Sequence, residues 1–375
     1  MRILYFTRSD SPHDQRFLTA LAASKHEIFV LRLESVQPHT PAGVTELTWQ
    51  GAGEHFRLID LPRLALNLKK ILREVRPDVI HAGPIQDVAF LVAVIGFKPL
   101  LSMSWGFDMM KDADQSWLTR CITKFTLNHT QILAADCQAV AEKAVSYGFE
   151  RERMVLFPWG VDLSHFSPED ASRPGKVWCA TQGWQSSFVV LSLRAWEPNY
   201  GVDDLVKAFV LAAQQESRLR LILLGTGSQR AMILRILEEG QVQDRVYFGG
   251  RVGFEDLLTF YGAADLYISS SHVDGSSVSL LEALACGLPA LVSDIPGNME
   301  WVTSEENGWL YPDGDHEALA KGVIRACNSN DLSRMAFAAR QTALIKANWH
   351  ENAKILIEAY SRLAEGDGVK GNEKN

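Results

Sequence analysis

Short apolar runs alternate with helical patterns along most of the chain. Residues 3–6, 27–32, 79–81, 100–103 and 131–134 read as strands. Apolar residues recur at helical spacing between them, over 15–24, 64–75 and 117–128. The second half repeats the style, with strands predicted at 189–192, 219–224, 246–248, 266–269 and 290–293. Helices fit there at 202–214, 230–238, 254–261 and 278–285. Strands alternating with helices imply parallel sheets with helices on both faces. The pattern occurs twice, so two doubly wound α/β domains are expected. A polar, breaker-rich stretch at 167–176 suggests the boundary, giving a first domain over 1–168 and a second over 174–348. The pattern at 349–363 predicts a late amphipathic helix, and 365–375 reads as a disordered tail.

Composition narrows the class. A chain of 375 residues is too long for one typical core and suits two domains. With 47% hydrophobic and 22% charged residues it reads as globular and water-soluble, and no apolar run is long enough to span a bilayer. Arg8 and Asp10 follow the first strand at once, which argues against a secretory signal. The cysteine count of 5 is odd, and no pair has metal-ligand or redox spacing. Free thiols in a reducing cytoplasm are therefore expected. A net charge of −8 argues against general nucleic-acid binding. Residues 1–167 carry 18 basic and 18 acidic side chains, so the whole negative balance lies beyond them. A neutral half beside an acidic half would let the first face an anionic membrane or an acidic acceptor. Chance variation of surface charge gives the same split.

The most informative stretch is 274–289, Asp-Gly-Ser-Ser-Val-Ser-Leu-Leu-Glu-Ala-Leu-Ala-Cys-Gly-Leu-Pro. A turn of small residues runs into an apolar helix that carries Glu282 and stops at Gly287-Leu288-Pro289. Small residues leave backbone N–H groups bare at a helix N-terminus, which favours an anion there. Asp274 and Glu282 flank that turn, so a diphosphate could lie between two carboxylates suited to sugar hydroxyls. Arg194 follows an apolar strand and should sit at its carboxyl end, where ligands of such sheets bind. Taken alone it reads as a surface salt bridge. Gly225-Thr226-Gly227 also follows a strand, but Arg230 replaces the third glycine of a dinucleotide fingerprint. A tight strand–helix turn explains that pair equally well.

With these motifs the chain resembles the retaining glycosyltransferases of family 4, whose GT-B fold sets two Rossmann-like domains facing a cleft. The paired acids match the family signature of two acids with seven residues between them, with Asp274 in place of the usual Glu. The resemblance implies that Glu282 contacts the ribose of a nucleotide-sugar and Asp274 the transferred sugar. It gives the distal phosphate to the backbone around Ser276, Ser277 and Val278, and the leaving phosphate to Arg194. The family's Lys six residues beyond that Arg is Tyr200 here, which offers a hydrogen bond but no charge. Gly225 and Gly227 match a glycine turn that lines the donor site, and Arg251 and Val252 lie in the loop that follows the base. His272 is either a donor contact or a loop histidine in water. Residues 295–300 resemble a glycine turn with a following acid, Glu300, and 307–310 resemble the next turn.

The first domain is less typical of the family. Trp105 stands where a His is expected, with Gly106 and Asp108 retained. General-base catalysis by a histidine at that place is therefore not available. Trp105 would pack on a sugar, on lipid or in the core, and Asp108 would act on the acceptor side or as a hydrogen-bonding residue. His81 matches a common family position, with a buried structural role equally open. The usual Gly-Gly loop near the N-terminus is absent, and His13 and Arg16 offer cationic side chains for the acceptor instead. The run 157–162 followed by Phe166 is a family marker of mainly structural meaning. By the same resemblance the late helix belongs to the first domain.

The expectation is a cytoplasmic retaining glycosyltransferase with Asp274, Glu282, Arg194 and Asp108 as its catalytic set. Its donor would be a nucleotide-sugar, UDP-linked by family habit. Its acceptor would be a glycan or lipid-linked glycan of cell-surface polysaccharide or glycoconjugate synthesis. The first domain would touch the inner membrane face peripherally. No cofactor, metal or nucleic acid is expected, because Arg194 and a helix N-terminus replace a metal and the nucleotide-sugar is a substrate. Two other classes stay open: a GT-B UDP-sugar hydrolase or epimerase, and a catalytically silent glycan-binding protein.

Overall fold

The computed structural model describes residues 1–34, 40–51 and 56–364, so the tail expected at 365–375 lies outside the described residues. The chain divides into two compact units, 1–158 with 351–375, and 159–350. In the first, β1 (Arg2–Thr7), β2 (Glu27–Arg32), β3 (Val44–Glu46), β4 (Val79–Ala82), β5 (Leu100–Met103), β6 (Ile132–Ala135) and β7 (Met154–Leu156) form a parallel sheet. Its order is β3-β2-β1-β4-β5-β6-β7. In the second, β8 (Phe188–Ser192), β9 (Leu219–Leu224), β10 (Val246–Gly250), β11 (Leu266–Ser269), β12 (Ala290–Ser293) and β13 (Gly308–Tyr311) run β10-β9-β8-β11-β12-β13, also parallel.

The inner strands are near-continuously apolar because both sheet faces are covered. Along β8, Val190 enters one core cluster, and Val189 and Leu191 enter the other, as side chains alternate across the sheet. Strand order reverses between β1 and β4, and again between β8 and β11. The carboxyl ends at such reversals are where open α/β sheets bind ligands. The loops after β8 and β11 carry Arg194 and Asp274.

Three sequence expectations differ from the structure. The stretch read as the domain boundary is the first half of helix Pro168–Gln182, inside the second unit. Ser167 caps it by accepting from the Asp170 N–H at 3.1 Å. Gly175 of this helix faces Gly262 of helix Leu257–Ala263, and a Cβ on either would strike the facing backbone. That glycine is therefore a packing choice and not a linker. The turn expected at 307–310 is largely strand β13, where Gly308 lets the chain pass the Ala290 carbonyl. The helix expected from 254 begins as a short 3₁₀ turn and becomes α-helical at Leu257.

The late helix spans Trp349–Ala364, and from Glu351 onward it is part of the first unit. It buries Leu356, Ala359, Tyr360 and Leu363. Asn352 donates to the Pro158 carbonyl at 2.9 Å and fixes its start.

Candidate functional site

The second unit gathers its polar groups beyond β8 and β11. Arg194 lies two residues past β8. One Nη donates to Asp274 at 2.5 Å, and the other to the Ser277 hydroxyl at 2.8 Å. The guanidinium carbon lies 4.2 Å from the centroid of the Tyr200 ring, a cation–π contact. Its Nε is buried and has no hydrogen-bond partner. Burial pushes the Asp274 carboxyl above the usual carboxylate range, and Arg194 pulls it back.

Ser277 is the N-cap residue of helix Val278–Ala285, yet its side chain makes no capping bond. The hydroxyl serves Arg194 instead, so the first-turn N–H groups keep their capacity for an anion. Ser276 and Ser277 are buried and Val278 is half-buried. Glu282 is buried on the same helix and accepts from the Tyr261 hydroxyl at 2.7 Å. Burial, and then the Glu282 charge, raise the Tyr261 phenol well above its ordinary value.

The flanking turns explain how this group is held. Gly225 has φ +97°, and a Cβ there would lie 2.6 Å from the Arg194 carbonyl. Gly227 similarly abuts the Trp196 carbonyl, so both glycines give the 194–197 loop room. A Cβ on Gly297 would sit 2.8 Å from the Asp274 carbonyl, so the 295–300 turn braces the Asp274 loop. Asn298 donates to the Ser293 carbonyl at 3.0 Å, and Ser293 donates to the Ser271 carbonyl at 2.5 Å. Arg251 is exposed and Val252 half-buried just beyond β10. His272 points to carboxylates, with Nδ1 2.7 Å from Asp313 and Nε2 3.8 Å from Asp204. Glu300 is half-buried, and its carbonyl accepts from Lys346.

In the first unit the expected residues separate into two groups. His13 and Trp105 meet with ring centroids 6.0 Å apart. Arg16 follows one turn later on helix Pro12–Ala22. His81 is elsewhere: it is fully buried in β4, opposite Tyr5 of β1. Its Nδ1 is 2.6 Å from the Tyr360 hydroxyl, and burial lowers its pKa to about 3. This is the geometry of a neutral core histidine, the structural one of the two readings the sequence left open. Asp108 is also buried, and its oxygens accept from Ser104 Oγ at 2.6 Å and from the N–H groups of Trp105, Met109 and Ile85 at 2.9, 2.9 and 3.0 Å. Burial raises its pKa to about 6 against the pull of those bonds. These four bonds tie the 104–109 loop to the start of the Ile85 segment.

Comparison with known proteins now bears on this geometry. A family model described as "Glycosyl transferase 4-like" matches residues 2–137, and one described as "Glycosyl transferases group 1" matches 181–342. The chain belongs to the group 1 glycosyltransferases. Among solved structures, Anabaena HepE with UDP-glucose superposes with a TM-score of 0.78 at 19% identity, covering 97% of this chain and 100% of that one. Sucrose-phosphate synthase of Thermosynechococcus elongatus gives 0.81 at 18% identity, covering 98% and 100%. At that identity the likeness establishes the GT-B fold. An uncharacterized glycosyltransferase of Methanocaldococcus jannaschii, MJ1069, is 32% identical over 167 residues, 44% of this chain and 42% of that protein. The amylovoran biosynthesis glycosyltransferase AmsK of Erwinia amylovora is 28% identical over 182 residues, 47% and 45%. The matches thus span less than half the length of these curated relatives.

Two features of this glycosyltransferase escape sequence reading. One is the Tyr200 ring beneath Arg194, in place of a hydroxyl or a cation aimed at phosphate. The other is an ion pair at the β1/β4 reversal, where Arg8 Nε donates to the buried Asp87 at 2.6 Å. The signal for Arg8 was a charge placed directly after the first strand. Among the described residues, no group of three or more His, Cys, Asp or Glu side chains is placed to hold a metal. No described helix is long and apolar enough to cross a membrane.

Proposed function

We propose that this protein is a retaining glycosyltransferase that takes a sugar from a nucleotide diphosphate donor, UDP-linked, to a glycan or lipid-linked acceptor. The observation that carries this reading is the Arg194 guanidinium at the first turn of helix Val278–Ala285, with its Nε unpartnered and Asp274 and Glu282 nearby in sequence and fold. Breaking the donor's glycosidic bond leaves negative charge on the diphosphate. Fixed donors aimed at that charge lower the barrier. Arg194 and the uncapped N–H groups supply them, and no metal ion is required for this. A phosphate engaging Arg194 shares it with Asp274, which leaves that carboxylate free to hold sugar hydroxyls. Glu282, held by Tyr261, takes the ribose. In a retaining transfer the leaving phosphate accepts the acceptor proton on the same face, so no side-chain base is needed.

In this reading the second unit binds donor and the first takes acceptor near His13, Arg16 and Trp105. The protein works on the cytoplasmic face of a membrane in polysaccharide or glycoconjugate synthesis. Names of relatives that refer to amylovoran and colanic acid biosynthesis support an acceptor of that kind. The test is calorimetric binding of UDP, GDP, ADP and CMP to the wild type and to Glu282→Gln. Binding of UDP that is lost in the variant supports the assignment. UDP release from a UDP-sugar without acceptor would favour hydrolysis or epimerisation, and no binding of any nucleotide would refute the donor site.

A further inference from the structure

Helix Trp117–His129 of the first unit has its polarity reversed. It buries Thr123, Thr126 and Leu127, and leaves Trp117, Leu118 and Phe125 exposed at 76%, 40% and 38%. The threonine hydroxyls donate to carbonyls of their own helix, Thr123 to Thr119 at 2.8 Å and Thr126 to Ile122 at 2.9 Å. Their burial is therefore satisfied locally, and the aromatic side is left uncovered. At 3.6 residues per turn, Trp117, Cys121, Phe125 and Leu118 share one arc of roughly 100° with a single amide, Asn128, and the arc is bordered on one side by Arg120 and Lys124. The helix contains no Asp or Glu. Phe125 meets Phe90 of the neighbouring helix Phe90–Ile95 at 5.8 Å, and Val94 of that helix is exposed as well.

Beside this helix opens a cavity of about 440 Å³, lined by Asp114, Arg120, Lys124, Lys143 and Tyr147 among others. Asp114 is already engaged. It pairs with Lys143, accepts from Tyr147 Oη at 2.8 Å, and pairs with Arg120 at 3.0 Å. One carboxylate thus pairs with two cations, and the third cation of the lining, Lys124, has no carboxylate partner among the described residues. An interfacial helix that lies on a membrane combines a basic flank with a Trp, Phe and Leu face. An apolar patch also suits a protein partner. The lack of acids on the helix and the surplus of cations beside it match a uniformly negative surface better.

We propose that this face docks on an anionic lipid bilayer. Trp117, Leu118 and Phe125 enter the headgroup boundary, while Arg120, Lys124 and Lys143 hold lipid phosphates. The proposal deepens the reading of a membrane-face acceptor and rests on it only for its purpose, because docking is measured apart from donor binding. The full chain is sedimented with vesicles of phosphatidylcholine alone, or with phosphatidylglycerol in equal parts. It is expected to pellet with the mixed vesicles only, and less so as salt rises. Trp117→Ser with Phe125→Ser, and Arg120→Glu with Lys124→Glu, should each weaken partitioning by roughly tenfold or more. UDP affinity should stay unchanged in both, and a far-UV circular dichroism spectrum and thermal midpoint matching wild type show that the first unit of each variant folds. A polarity-sensitive dye on Cys121, an exposed thiol within the arc, should shift to the blue on the mixed vesicles. Wild type that stays in the supernatant, as an acidic protein partner would predict, overturns the proposal. So do variants that pellet as well as wild type. Vesicle binding without UDP binding would sink the donor site and leave this docking face standing.

Discussion

Replacing Tyr200 by Leu tests what holds Arg194 in place. Asp274 at 2.5 Å and Ser277 at 2.8 Å grip the two Nη atoms, and the ring at 4.2 Å supports the plane of the guanidinium. The Arg194 side chain is only 12% accessible. A cation–π contact in such a partly desolvated place is worth about 1 to 2 kcal/mol. Without the ring, the guanidinium can swing away from the first turn of helix Val278–Ala285. A phosphate must then restore its position on binding. Tyr200→Leu should therefore weaken UDP binding by about fivefold to thirtyfold, since 1.4 kcal/mol is tenfold. Uridine, which lacks the phosphates, should bind both proteins alike. Tyr200→Phe keeps the ring and should stay within about twofold of wild type. Calorimetry of UDP and uridine on the three proteins at one ionic strength decides the matter. If the Phe variant loses as much as the Leu variant, the hydroxyl carries the effect and the ring argument is refuted.

Other outcomes follow from the packing of each unit. His81 is held neutral, with its pKa lowered from 6.5 to about 3 by burial. The unfolded chain takes up that proton first, so stability is full above about pH 6.5 and falls by about 1.4 kcal/mol per unit as pH drops toward 3. Urea midpoints of wild type and His81→Leu should converge from pH 7 to pH 4, and a constant gap would contradict the assignment. Gly262→Ala puts a Cβ against the Ala171 carbonyl of the crossing helix and should cost about 1 to 3 kcal/mol in thermal unfolding. Gly253→Ala meets no close atom and should stay within about 0.5 kcal/mol.

The sequence was most readable where local rules and tertiary demands agree. The strands of the second unit are apolar on both faces, and helix Val278–Ala285 lies between small residues and a Gly-Leu-Pro stop, so its bounds were legible. Pro174 and Gly175 misled because a breaker and a close helix crossing use the same residues. Gly308 looked like a turn, although it admits a neighbouring strand's carbonyl. The candidate residues of the donor side came from motif resemblance, but their mutual geometry was invisible in one dimension. Nothing in the chain's spacing says that Tyr200 offers its ring and not its hydroxyl to Arg194. His81 depends on a tyrosine 279 positions away. Asp108 could be read from sequence as an acid after a strand, but not the four donors that its carboxylate accepts from.

The second unit begins and ends at one place. Val161 N–H donates to the Ala347 carbonyl at 2.8 Å, and Trp349 N–H donates to the Val161 carbonyl at 3.1 Å. Gly160 leaves no room for a Cβ beside Trp349. A segment with adjoining ends is a portable cassette: it can be excised, transplanted into a sister scaffold, or circularly permuted with a short splice. Recombination could trade such a cassette among related genes, changing one half of the protein in a single event while the other half keeps its history.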